Sequence, residues 1–73
     1  MDELKLIHDT LLENIGEMCD IHTYTTVYED CYILEVTDDT VLIEAYSEVK
    51  SGMREFLLPI DTIQSVGKCV KKS

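Results

Sequence analysis

The sequence predicts a mainly β domain with one N-terminal α-helix, its strands forming a five-stranded antiparallel small barrel. Three observations carry this. Apolar residues recur at spacings of three and four over the first fifteen positions. After Gly16 the composition shifts to Thr, Tyr, Val and Ile, the residues strands favour. Turn residues then recur about every ten positions, the rhythm of short strands in a barrel or sandwich.

Leu4, Ile7, Leu11 and Ile15 share one helix face, bordered by Leu12 and more weakly by Leu6 and His8. Asp2 suits the N-cap, and Glu3 the positive end of the helix dipole. Gly16 suits the position after the helix, where positive φ is wanted. These signals bound a helix at about residues 3–15.

Strands follow at about 17–25, 31–37, 41–46, 53–58 and 64–70, and one domain spans 1–73. In the first strand Cys19, Ile21, Thr23 and Thr25 lie on one face. A turn is expected at Val27-Tyr28-Glu29-Asp30. In the second strand Tyr32, Leu34 and Val36 share a face, opposite Cys31, Ile33, Glu35 and Thr37. Asp38-Asp39 makes a tight turn. The third strand is apolar on both faces except for Glu44, as a central strand is. Pro59 to Ile63 suits a single 3₁₀ turn.

The formal net charge of −9 narrows the function. Residues 1–30 hold eight acids against Lys5, whereas residues 61–73 hold Asp61 against Lys68, Lys71 and Lys72. Such a surface repels nucleic acid and anionic membranes, and suits a partner with a basic surface. No membrane association is expected. The acidic start does not resemble a secretory signal, so the chain is expected in a cytoplasm with Cys19, Cys31 and Cys69 as reduced thiols.

The element order resembles the Sm-like small β-barrels, the superfamily of the Sm, LSm and Hfq proteins. The likeness is carried by LLENIGEMCDIHTYTTVYEDCYILEVTDDTVLIEA and FLLPIDTIQSV. It implies a helix leading into the first strand, a long bent second strand, an acidic turn and a third apolar strand. It also implies strand pairing between neighbours in a ring of six or seven subunits. The family's bend glycine has no counterpart between Tyr28 and Val36. Leu57-Leu58 stands where the family carries an Arg-Gly or Lys-His pair, and Asp38-Asp39 is a loose analogue of its base-holding residues. Other small barrels, of the Src-homology type, share a similar strand order.

Candidate chemistry is sparse. Cys19 and His22, with Cys31 and Cys69, have the residue types of a Cys₃His zinc site, but residues three apart on a strand point to opposite faces. A Cys31–His22 nucleophile pair lacks an oxyanion loop and an orienting carboxylate. Tyr24, Tyr28, Tyr32 and Tyr46 stand among acids rather than the cations of a base-stacking platform. No catalytic residue, metal ligand or cofactor is therefore assigned. The expectation is a non-catalytic interaction module of a bacterial or phage cytoplasm. It self-associates through Met53, Phe56, Leu57, Leu58 and Val66, the edge strand pairing with the last strand or with a neighbour. Contact with RNA, disfavoured by charge, falls to Arg54, Lys68, Lys71 and Lys72. The alternative is a small acidic inhibitor that mimics nucleic acid in the basic groove of another protein.

Overall fold

The computed structural model describes residues 3–70; the side chain of Lys68 and residues 1–2 and 71–73 lie outside the described part. The N-cap expected of Asp2 and the cations of Lys71 and Lys72 therefore fall outside it. The elements are α1 (Glu3–Glu13), β1 (Met18–Thr23), β2 (Val27–Val36), β3 (Thr40–Ser47), β4 (Gly52–Pro59), a 3₁₀ turn (Ile60–Thr62) and β5 (Ile63–Val70).

Helix α1 seats fewer residues than its apolar stripe offers. Leu11 is fully buried and Ile7 packs against the core, but Leu4 and Ile15 remain exposed. The helix ends at Glu13 and a turn follows, with Asn14 N–H donating to Leu11 O at 3.1 Å. Ile15 thus leaves the helical stripe. Gly16 has φ +85°, and its N–H donates to Ile33 O at 2.7 Å, tying the helix exit to β2. A glycine reaches that φ without steric cost.

The turn between β1 and β2 falls at residues 24–26, not at Val27–Asp30. The Thr23 hydroxyl organises it, accepting from Thr26 N–H at 2.9 Å and donating to Thr26 O at 2.8 Å. Glu29 and Asp30 instead form a bulge inside β2. Cys19 pairs with Cys31 and Ile21 with Tyr28, so two residues, Glu29 and Asp30, stand opposite one, Asp20. Asp30 takes φ +54°, and its N–H donates to Asp20 Oδ1 at 2.9 Å.

A second bulge reverses the faces at the end of β2. Ile33 pairs with Ile43, but Glu35 pairs with Leu42 and Val36 with Val41. Leu34 is the extra residue and turns outward, while Val36 packs against the core. The expected grouping of Leu34 with Val36, and of Glu35 with Ile33, is corrected here. Strict alternation holds only along an unbulged strand.

The sheet order is β4-β3-β2-β1-β5, antiparallel throughout. β3 is interior and contributes Val41, Ile43 and Ala45 to the core. β4 and β5 form the two edges, and no pairing joins them among the described residues. The sheet is open, yet only Ile60–Thr62 separate β4 from β5. Four inter-strand spacings of a flat sheet measure about 19 Å. The four chain steps from Pro59 to Ile63 reach at most about 14 Å. The sheet must therefore coil, and Ile60 and Ile63, both buried, fill the space the coil encloses.

Cys19 and Cys69 form a disulfide between β1 and β5, which corrects the expectation of three reduced thiols. Cys31 alone is free, and buried. Because Cys31 opposes Cys19 across β1–β2, the three cysteines lie in one row across β2, β1 and β5.

Candidate functional site

Three places concentrate chemistry: the cysteine row, a cleft at the helix end of the molecule, and the outer face of β3 and β4.

In the cysteine row, the Cys31 thiol donates to Cys19 O at 3.2 Å. Burial pushes its pKa up to about 11, with Asp20 and Asp30 adding in the same direction. A thiol so shifted is a weak nucleophile at neutral pH. His22 lies on the opposite face of β1 from Cys19 and does not join the row. No group of three or more ligands suited to a metal ion converges among the described residues.

The cleft, of about 580 Å³, is bounded by Leu4, Lys5 and His8 of α1, by Asp38, Asp39 and Thr40, and by Pro59, Ile60 and Asp61. Its two loops are locked together. Ile60 N–H donates to Asp39 O at 2.9 Å. Within the β2–β3 turn, Thr37 N–H donates to Thr40 O at 2.8 Å, and Thr40 N–H donates to the Thr37 hydroxyl at 3.0 Å. Thr62 closes the other loop by donating its hydroxyl to Pro59 O at 2.7 Å. His8 Nδ1 is 3.1 Å from Asp9 Oδ1. Three carboxylates on the rim favour cationic or hydrogen-bond-donating groups over phosphates. Lys5 and His8 are rim residues that sequence patterning placed only on the helix.

The outer face is set by strand alternation. On β4, Phe56 and Leu58 point inward: Leu58 is 9% exposed, and the Phe56 ring lies 5.3 Å from that of Tyr28. Met53 and Leu57 point outward, Leu57 at 65% exposure. Val66 on β5 is half-buried against the core. The five residues expected to form an interface thus divide between core and surface. Pairing with β3 adds residues that β4 alone does not reveal: Leu57 lies opposite Leu42, Glu55 opposite Glu44, and Met53 opposite Tyr46. The signal that finds them is cross-strand register, which a single strand does not carry.

The expected nucleic-acid residues do not gather. Arg54 is exposed on β4, opposite Ala45, and Lys68 lies on β5, at the other edge of the sheet. Lys50 stands apart in the β3–β4 turn. No helix among the described residues is long and apolar enough to cross a membrane. No family model, curated protein or solved structure matches the chain.

Proposed function

We propose that this protein is a non-catalytic interaction module, a small barrel of Sm-like type that self-associates by pairing β4 of one copy with β5 of the next. One observation supports the reading: no strand pairing joins edge strands β4 and β5 among the described residues, although only three residues separate them in the chain. Free edges present rows of unpaired N–H and C=O groups and recruit strands from other chains. A chain of 73 residues also has a small core, which association extends. The bulge at Leu34 supplies in β2 the bend that a glycine supplies in the resembled family.

The same pairing places Arg54 of one copy on a strand beside that of Lys68 of the next. RNA contact at that joint is weak against the net charge of −9. The Cys19–Cys69 pair weighs against the expected cytoplasmic residence, because disulfides are rare in that compartment.

Light scattering of the purified chain tests the proposal. The expected mass is that of a closed ring of about six or seven subunits, the number the family resemblance implies. A monomer at all concentrations overturns self-association and turns attention to the acidic inhibitor, whose exposed Glu3, Asp9 and Glu13 on α1 would face a basic groove.

A further inference from the structure

We infer that the outer face of β3 and β4 is a docking surface for an extended, basic and apolar segment of another protein. The face consists of three cross-strand rows: Leu42–Leu57, Glu44–Glu55 and Tyr46–Met53. Tyr46 is 63% exposed and Leu57 65%, and Met53 is exposed while Leu42 is half-buried, so each apolar row flanking the charged one presents an apolar side chain to solvent. The principal contacts of α1 lie elsewhere, with β2, β5 and the 3₁₀ turn.

The charged row identifies the occupant. Glu44 and Glu55 are directly opposite each other, an arrangement that destabilises an antiparallel pair. Glu35, opposite Leu42, adds a third carboxylate at the border. No described Lys or Arg side chain holds a register position on this face. Arg54 belongs to the other face of β4, Lys50 to the turn, and Lys5 to α1. A cation brought from outside relieves the repulsion between the two glutamates, and apolar groups flanking it cover the exposed rows.

The spacing fixes the pattern. Rows two residues apart on a strand are about 6.7 Å apart. An extended segment places alternate side chains at the same interval, so apolar, cationic and apolar residues at alternating positions match the three rows in order. A strand-like segment with Lys or Arg at its middle position is the partner of that chemistry. The surface is distinct from the edge of β4, and docking there does not depend on copies pairing through their edges.

The test is an NMR titration of the full ¹⁵N-labelled chain with two short peptides of equal charge. In one, leucine, lysine and leucine alternate with threonine; in the other, threonine replaces both leucines. The expected shift changes centre on Leu42, Glu44, Tyr46, Met53, Glu55 and Leu57, and the leucine peptide binds at least about tenfold more tightly, the equivalent of about 1.4 kcal/mol. M53S/L57S and E44Q/E55Q each lose at least about tenfold. E3Q/E13Q removes the same charge from α1 and changes affinity by less than about twofold. Equal affinity for the two peptides overturns the inference. So does a set of shifts centred on α1, or an M53S/L57S variant that folds and binds unchanged. A monomer by light scattering with the expected shifts leaves the docking surface standing and removes the ring.

Discussion

The two edges of the sheet are held in opposite ways. β5 joins β1 in a ladder whose register shifts twice, between Met18 and Asp20 and between His22 and Thr23, and a disulfide fastens it. β4 joins β3 through eight consecutive pairs with no irregularity and no covalent link. A broken ladder carries fewer well-formed hydrogen bonds than a regular one. A regular ladder holds itself and leaves its outer strand flat. Covalent fastening thus sits where register is poor, and exposed apolar side chains sit where register is good. The difference predicts that β4 keeps its place by its own ladder, and that β5 relies on the Cys19 link to stay in place.

Removing the link is the strongest way to break this contrast. The disulfide closes a loop between residues 50 apart in sequence, and the chain-entropy estimate for such a loop is about 4 kcal/mol. Denaturant unfolding with and without reductant, or of C19S/C69S, should show a loss of that order. Hydrogen exchange should then find β5 amides deprotected and β4 amides retained. Loss of β4 protection first would invert the comparison.

Neighbouring residues on β4 sharpen it further. Leu58→Ala empties a buried position and should cost about 2–4 kcal/mol. Leu57→Ala, one residue away on the solvent side, should cost within about 0.5 kcal/mol in the isolated subunit. Thermal and denaturant melts of the two variants decide whether the faces are assigned correctly.

The third outcome concerns pH. Cys31 keeps its proton in the folded state up to about pH 11, above the ordinary thiol value of 9.0. The unfolded thiol ionises first, so the stability contributed by this group is complete below pH 9 and is lost as pH rises through about 11. Allowing for screening, the fall is about 1–2 kcal/mol. Urea titrations across that window should show a steeper fall for the natural chain than for Cys31→Ala. Parallel curves would remove Cys31 as the cause.

The smallest effect tests the charged row. Glu55→Lys turns a like-charged cross-strand pair into an opposite one and should raise stability by about 0.2–1 kcal/mol at low salt. The gain should shrink at 1 M salt, where the Debye length is about 3 Å. A gain that is independent of salt would point to strand propensity instead of charge.

Much of this architecture is legible in the sequence, because it rests on local chemistry. The spacing of Ile7 and Leu11 marks the helix, Gly16 its exit, and Pro59 the 3₁₀ turn. The inward positions Cys19, Ile21 and Thr23 follow from alternation alone. What escapes is whatever depends on pairing between strands. Glu29-Asp30 has the composition of a turn but is a bulge, because Thr23 and Thr26 already make the turn and Asp20 receives the Asp30 N–H. The reversal after Leu34 is invisible without β3 alongside. The candidate surfaces divide in the same way. Exposed Met53 and Leu57 can be picked from β4, whereas Tyr46, Glu44 and Leu42 join them only through register. The cysteine pair is hidden for a similar reason, since no spacing pattern links Cys19 to Cys69.

The return of β5 to β1 also sets an order of events during folding. The hairpins β2–β3 and β3–β4 close over turns of a few residues, whereas β5 pairs with β1, a strand distant in sequence. Closing a long loop costs more chain entropy than closing a short one, and contacts distant in sequence slow folding. On that ground the meander from β1 to β4 is expected to assemble before β5 docks, with the far side of β1 still uncovered. Until β5 arrives, the exposed edge of the young domain is therefore β1, the strand that ends in the interior of the sheet. The edge uncovered at that stage thus differs from the edges of the finished sheet, β4 and β5.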